Sequence, residues 1–256
     1  MSRVRVEIER AVGRITLSRP AKRNALDHQM ASELYEALQQ LEDDETVRVL
    51  LLAADGVDFC AGADLEALAA MLDAGTEAHR QDAQALGRVF TTIRRLSKPV
   101  VAVVRGRALA GGAGLATACD IVLAHEDAQL GYPEVRVGFV PAMVMTMLRR
   151  LVGEKRAFEL VATGRIVGAR EALEMGLVSR VIPAASFDQD IRTVIADLTE
   201  SPREALRLTK RLLYELDSLP FEDGIALGVQ TNVEARATDE FRKGVRRFLG
   251  RAKGES

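Results

Sequence analysis

The stretch from Lys98 to Pro141 restricts the possible fold of this chain more than any other part of the sequence. It opens with an apolar run from 100 to 104 that has no polar alternation, which predicts a strand buried on both faces. The next run, from 108 to 118, is dominated by Gly and Ala. Such small residues indicate that another segment or a ligand approaches this backbone closely.

The glycine cluster in this stretch predicts a helix that starts near Gly111. The first N–H groups of a helix have no intrahelical acceptor and lie at the positive end of the helix dipole, so they can bind a phosphate or an oxyanion. After another predicted strand, Glu134 follows on a predicted loop with Gly131, Tyr132 and Pro133. This carboxylate is the candidate acid or base.

Two other interpretations of the glycine cluster stay open on the residues alone. A dinucleotide-binding turn would place its small residues at Gly112, Gly114 and 117, but residue 117 is Thr, although Glu134 has about the spacing of a ribose-binding acid. Alternatively, the small residues only let a helix pack closely on a sheet. Against this, each glycine costs a helix interior roughly 1 kcal/mol relative to alanine.

Composition and charge argue against several classes of protein. The 256 residues carry a net charge of −2 without a dense basic block, which argues against a dedicated nucleic-acid surface. No apolar run is long enough to span a bilayer and the charged start does not resemble a signal peptide, so we expect a soluble cytoplasmic protein. We expect Cys60 and Cys119 to be reduced and buried. Neither a metal-ligand spacing nor a nucleophile elbow occurs in the sequence.

Periodicity along the chain predicts an α/β core followed by helices. We expect an opening hairpin over 4–17, a helix capped by Asp27, and buried strands from 47 to 52 and from 121 to 124. The turn from Phe59 to Leu65 repeats the arrangement of a strand, small residues and a helix start. The alternative is an ordinary turn between a strand and a helix, with Asp64 as the helix cap. No strand pattern follows Ile182. We predict a core over residues 1–195 and a helical region over residues 196–256.

Several ordered motifs together resemble the enoyl-CoA hydratase/isomerase family, also called the crotonase family, over nearly the whole chain. They are the segments 23–26, 59–65, 106–120, 133–134 and 163–178. The resemblance implies a spiral of ββα units with C-terminal helices and assembly as a homotrimer or homohexamer. It also implies an acyl-CoA thioester as the substrate, with coenzyme A carried as part of that substrate and no separate cofactor.

The resemblance also implies the residues of the site. The thioester carbonyl would lie between the backbone N–H groups of Ala63 and Gly111, and Glu134 would transfer the proton. We expect Tyr132, Pro133 and Phe139 to enclose this carboxylate and raise its pKa. The residues that would hold the coenzyme A part are Arg23, Ala25, Ala61, Asp64, Leu65, Phe248 and Arg251.

Two departures from the family pattern affect the expected reaction. Hydratases of this family usually carry a further glutamate shortly after the glycines, where this chain has Gly114, and the usual glycine pair after Pro141 is absent. We predict hydration of a 2-enoyl-CoA through a stabilised enolate, with delta3-delta2 isomerisation by Glu134 alone as the alternative. A second alternative is a non-catalytic member that binds acyl-CoA or RNA, suggested by the lost carboxylate and by the basic residues Arg242, Lys243, Arg246, Arg247 and Arg251.

Overall fold

Two sheets form the centre of the molecule. The computed structural model describes the backbone of residues 2–254 and the side chains of residues 2–250. The larger sheet contains, side by side and in this order, β1 (Val4–Glu9), β2 (Val12–Leu17), β3 (Val49–Ala54), β4 (Val100–Val104), β6 (Ile121–His125) and β9 (Arg180–Ile182). The smaller sheet contains β5 (Arg107–Leu109), β7 (Gln129–Gly131) and β8 (Ile166–Gly168).

The central strands of the larger sheet are buried on both faces because they are apolar throughout. The hairpin β1–β2 is antiparallel, as predicted, and the later pairings are parallel. Leu50 and Leu52 point into the main core, whereas Val49 and Leu51 pack in a second cluster on the opposite face. A parallel sheet covered on both faces requires such continuous apolar strands.

Eleven α-helices surround the sheets in the part of the chain that the structure describes. The predicted N-cap of the first helix is confirmed, since the carboxylate of Asp27 accepts the N–H of Met30 at 2.9 Å. The helices are α1 (His28–Asp43), α2 (Leu65–Ala70), α3 (Thr76–Arg95), α4 (Gly111–Ala118), α5 (Ala142–Val152), α6 (Glu154–Thr163), α7 (Ala169–Met175), α8 (Phe187–Glu200), α9 (Arg203–Glu215), α10 (Phe221–Ala237) and α11 (Asp239–Gly254).

The smaller sheet corrects one sequence-based expectation. Gly131 does not lie on a loop but ends β7, and Pro133–Val137 forms a short 3-10 helix. The three strands of this sheet have only three residues each, which is too short for alternation to appear in the sequence. Because β7 pairs with β5, the residues that follow β7 lie beside the start of α4.

The predicted division of the chain at residue 195 lies within α8. This helix packs Phe187, Ile191 and Val194 on the second face of the larger sheet, so it adjoins the core directly. The division into two regions stays a prediction. No described helix is both long and apolar enough to cross a membrane.

A buried lysine attaches α9 to the core. Lys210 is 6 % exposed and donates to the carbonyl oxygen of Ile93 at 2.8 Å, to that of Lys98 at 2.9 Å and to Asp120 at 2.7 Å. The hydroxyl of Tyr214 donates to the other oxygen of Asp120 at 2.6 Å. All three ammonium protons of Lys210 are thereby paired, so its burial does not leave an unsatisfied charge.

Candidate active site

The two glycine-containing turns lie side by side. The N–H of Leu109 donates to the carbonyl oxygen of Cys60 at 2.9 Å, and the N–H of Cys60 donates to that of Arg107 at 3.0 Å. A Cβ at Gly62 would lie 2.9 Å from the carbonyl oxygen of Leu109, and one at Gly112 would collide with that of Cys60. The small residues are therefore required by this close approach of two backbones.

The approach of the two turns leaves the N–H groups of Ala63 and Gly111 free. Gly111 is the first residue of α4, so its N–H has no intrahelical acceptor. The N–H and carbonyl of Leu26 bond to Gly62 and Asp64, both at 2.7 Å, so the N–H of the intervening Ala63 points away from Leu26. Within the described residues neither N–H donates to a protein acceptor. Both can therefore bind an oxyanion, and their predicted role stays a prediction.

Ala110, just before Gly111, has an unusual backbone conformation. Its φ of 51° and ψ of −126° lie in a region that favours glycine, and such a residue carries a strain of about 1–3 kcal/mol. The N–H of Ala110 donates to the carbonyl oxygen of Gly131 at 2.8 Å, which fixes this conformation. The same hydrogen bond joins the start of α4 to the segment that carries Glu134.

Glu134 lies in the 3-10 helix that follows β7 and is 9 % exposed. Burial raises the pKa of this carboxyl above its ordinary value of 4.5, the direction expected from the sequence. Its Oε2 atom is buried and has no hydrogen-bond partner among the residues described. Tyr132 is fully buried and Phe139 is 57 % exposed, and the enclosure of the carboxylate by these side chains stays a prediction.

Apolar side chains fill the space beside Gly114. A Cβ at this position would lie 2.6 Å from Cγ2 of Val144 and 3.3 Å from Cζ of Phe90. Both neighbours are buried, at 4 % and 5 % exposure. The helix therefore lacks a carboxylate here and also lacks room for one while Val144 keeps its position.

The loop that contains Arg23 is fastened to the second glycine turn. Asn24 is fully buried, and its side-chain amide donates to the carbonyl oxygens of Asp55 and Asp58, both at 2.9 Å. The N–H of Ala61 donates to the carbonyl oxygen of Arg23 at 3.0 Å. These bonds place the exposed side chain of Arg23 and the buried Ala25 beside residues 55–61.

Asp64 acts as a helix cap in the structure. Its carboxylate accepts the N–H groups of Glu66 at 2.9 Å and Ala67 at 3.3 Å, and it pairs with Arg19 at 2.6 Å. Burial alone would raise the pKa of this carboxyl, but the bonds from Arg19 and the two N–H groups lower it. A contact of Asp64 with coenzyme A stays a prediction.

The remaining predicted coenzyme A residues are widely separated. Leu65 is 64 % exposed at the start of α2, next to the glycine turn. Phe248 is 76 % exposed on α11, in an apolar groove of about 420 Å³ against α9. The side chain of Arg251 lies outside the described residues. Their roles stay predictions.

Tyr132 was expected only to enclose the carboxylate of Glu134, and no role was predicted for its hydroxyl. It is fully buried, and its hydroxyl has no hydrogen-bond partner within residues 2–250. Burial raises its pKa, the nearby hydroxyl of Thr117 opposes this shift, and the charge of Glu134 adds a smaller increase. The described side chains form no cluster of three or more groups that could hold a metal ion.

The free N–H groups of the two glycine turns and the buried carboxyl of Glu134 define a site that can stabilise an oxyanion and transfer a proton. Comparisons with known proteins identify the family. A family model described as enoyl-CoA hydratase/isomerase matches residues 7–255, so the chain belongs to this family of enzymes. A putative enoyl-CoA hydratase of Thermus thermophilus is 41% identical over 95% of this chain and 97% of that protein. A probable enoyl-CoA hydratase of Bacillus subtilis is 31% identical over 99% and 98%.

Solved structures confirm the crotonase-like fold. An enoyl-CoA hydratase of Mycobacterium smegmatis superposes with a TM-score of 0.93 at 33% identity, over 97% of this chain and 96% of that one. Human enoyl-CoA hydratase domain-containing protein 3 superposes with a TM-score of 0.93 at 28% identity, over 97% and 98%. The spiral α/β core with C-terminal helices, expected from the sequence, is therefore correct.

Proposed function

We propose that this enzyme hydrates a 2-enoyl-CoA thioester and that Glu134 is its only acid and base. The observation that carries the proposal is a buried carboxylate with a raised pKa, joined through the Ala110–Gly131 hydrogen bond to the start of a helix with a free N–H. The names of the relatives in Thermus thermophilus and Bacillus subtilis favour hydration among the reactions of the family.

In the proposed reaction the thioester oxygen accepts hydrogen bonds from the N–H groups of Ala63 and Gly111. A water oxygen bonds to C3, and its proton goes to the carboxylate of Glu134. The electron pair of the double bond moves through C2 to the thioester oxygen as an enolate. Glu134 then returns the proton to C2, which regenerates the carboxylate and completes the addition of water.

Two physical effects lower the barrier in this arrangement. Each fixed N–H at the developing oxyanion lowers the activation free energy by roughly 3 kcal/mol, because the donor does not have to reorient during the reaction. A general acid and base works best when its pKa lies near the working pH. Burial moves the pKa of Glu134 from 4.5 in that direction, so the same group can take and return the proton.

A specific observation favours isomerisation as a second candidate. Val144 and Phe90 fill the space beside Gly114, so no second carboxylate is present there to hold a water. Isomerisation needs no water: Glu134 removes a proton from C2 of a 3-enoyl-CoA and returns it to C4, and the double bond moves to the 2,3 position. One base is sufficient for this reaction.

The experiment that decides between the two reactions compares specificity constants on one purified sample. Hydration of a 2-enoyl-CoA is followed by the loss of absorbance of the conjugated thioester, and isomerisation of a 3-enoyl-CoA by its gain. We expect hydration to have the higher kcat/KM. Isomerisation faster by about a hundredfold, a difference of roughly 2.7 kcal/mol in barrier, would overturn the choice of hydratase.

We also propose that the chain assembles as a homotrimer or homohexamer. Four apolar residues recur at every fourth position along α10 and are between 56 % and 78 % exposed: Phe221, Ile225, Val229 and Val233. A stripe of this kind on a soluble enzyme is usually covered by another subunit. Multi-angle light scattering of the intact protein measures the mass, and a monomer would contradict this proposal.

A further inference from the structure

A cavity of about 740 Å³ lies between helices α3, α5 and α9. Its volume is within the range of about 300–1,000 Å³ that is typical of sites for small molecules. Ala63, Gly111 and Glu134 do not belong to its described lining. The cavity also shares no described lining residue with the groove that holds the exposed stripe of α10, proposed above to contact another subunit. It is therefore a second candidate site.

Apolar side chains line this cavity from the sides of α3 and α5. They are Phe90, Leu96, Met143 and Met147. Phe90, Leu96 and Met147 are each 5 % exposed, so packing against the core holds them in place. They form a fixed apolar wall on which the hydrocarbon part of a ligand can pack without a rearrangement of the core.

Arginine side chains from two helices line the same cavity. Arg94 and Arg95 end α3, whereas Arg207 and Arg211 lie one turn apart on α9. The guanidinium of Arg94 stacks over the ring of Tyr214, 4.1 Å from its centroid, and this contact holds the end of α3 against α9. The fold therefore brings four guanidinium groups to one cavity.

The two arginines of α9 share a carboxylate. Glu234 accepts from Arg207 at 3.0 Å and from Arg211 at 2.5 Å, and Arg207 also pairs with Glu204 at 2.8 Å. On this side two arginines thus meet two carboxylates. The Nε–H of Arg211 is nevertheless buried without a hydrogen-bond partner within residues 2–250. Buried donors nearly always have acceptors, so this N–H can bind an oxygen of a ligand.

The end of α3 has more arginines than carboxylates. Asp217, just after α9, is shared by Arg94 at 3.0 Å and Arg150 at 3.5 Å. Arg95 and Glu215 line the cavity, are exposed and make no ion pair with any described residue. On this side three arginines meet two carboxylates. One positive charge around the cavity is therefore not neutralised.

We propose that this cavity binds a monocarboxylate with an apolar body, such as a medium-chain fatty acid. The planar guanidinium groups of Arg95 and Arg211 match the two oxygens of a carboxylate, and one negative charge balances the excess. The hydrocarbon part packs on Phe90 and Met147. Binding here uses no atom of the proposed hydration site, so it does not depend on the reaction assigned to Glu134.

Isothermal titration calorimetry of the intact protein with octanoate tests this proposal, and 1-octanol is the neutral ligand of the same length. Octanoate should bind at least about tenfold more tightly than octanol, because hydrogen bonds to charged groups are stronger than those between neutral groups. Arg95→Gln should weaken octanoate binding about tenfold and leave octanol binding within twofold. No ion pair is lost in this variant, so it should fold normally.

Two further variants test whether the ligand lies in this cavity. Arg88→Gln is the matched control, because Arg88 is another arginine of α3 that does not belong to the described lining and stacks over Tyr35 instead. It should leave octanoate affinity within twofold of wild type. Thr146 is exposed on α5 and lines the cavity, so Thr146→Trp should fill it and abolish binding of octanoate and octanol alike.

Four results would overturn the assignment of this cavity. They are no octanoate binding to wild type, equal affinities for octanoate and octanol, octanoate affinity of Arg95→Gln within twofold of wild type, and unchanged octanoate binding in folded Thr146→Trp. The last result would place the ligand elsewhere on the protein. The proposed hydration stands in each case, because it depends on Glu134 and is measured separately by kcat/KM.

Discussion

Replacement of Gly114 tests whether Val144 truly fills the space of the missing carboxylate. Gly114→Ala adds one methyl group 2.6 Å from Cγ2 of Val144 and 3.3 Å from Cζ of Phe90. Ordinary carbon contacts are about 3.5–4.0 Å, so Val144 must move by about 1 Å. Overpacking costs about 1–3 kcal/mol and the better helix propensity of alanine returns about 1 kcal/mol. We expect the free energy of unfolding to fall by roughly 0–2 kcal/mol.

A double-mutant cycle with Val144→Ala measures the energy of the contact between residues 114 and 144. This single change removes two buried methyl groups, which costs about 1.6 kcal/mol at roughly 0.8 kcal/mol each, plus a term for the cavity. In the double variant the methyl of residue 114 enters the vacated space. The double variant should therefore be more stable than the sum of the singles by about 1–2 kcal/mol.

Urea unfolding followed by circular dichroism measures all four proteins. Gly228→Ala is the control, because Gly228 lies in α10 and a Cβ there has no neighbour within 4 Å. It should stabilise by up to about 1 kcal/mol and be additive with Val144→Ala. Additive effects of Gly114→Ala and Val144→Ala would refute the packing argument. In the same way, Gly114→Glu should raise hydration only when Val144→Ala is also present.

Three further predictions follow from other parts of the structure. Ala110→Gly should raise the free energy of unfolding by up to about 1 kcal/mol, because the relieved strain outweighs the greater chain entropy of glycine. If the positive φ of Ala110 carries no strain, urea unfolding will show a lower stability instead. Asp120→Asn should lower the free energy of unfolding by about 3–5 kcal/mol, because Lys210 loses its buried counter-charge. A melting temperature within 1 °C of wild type would contradict this. A chain truncated near Asp188 should aggregate, because it exposes the face that α9 covers, and a monodisperse truncated protein in size-exclusion chromatography would count against it.

Local patterns in the sequence predicted the elements that carry the site. The apolar run from 100 to 104 is β4, and the helix expected near Gly111 begins at Gly111. These features depend on residues that are neighbours in the chain, so the sequence displays them directly. The glycines also predicted close backbone approach, which the bonds between the turns confirm.

Through-space contacts were not predictable in the same way. Asn24 joins carbonyl groups more than thirty residues away, and one polar residue in a loop gives no sign of this. Val144 lies thirty residues after Gly114 and was not connected with it, because only the fold places α5 on α4. The unpaired hydroxyl of Tyr132 is visible only once its surroundings are known.

The role of Glu134 is tested most directly by Glu134→Gln, measured for turnover, acyl-CoA binding and stability. The pKa of Glu134 is higher in the folded protein than in the unfolded chain, where it is about 4.5. At a pH between these two values the folded carboxyl keeps a proton that the unfolded carboxyl has lost. The free energy of unfolding therefore falls as the pH rises through this range. Glutamine lacks this penalty, so the variant should be at least as stable as wild type at pH 8. We predict that kcat falls about 10²- to 10⁴-fold while acyl-CoA affinity stays within a few-fold. Turnover within a few-fold of wild type would contradict the assignment of Glu134 as the acid and base.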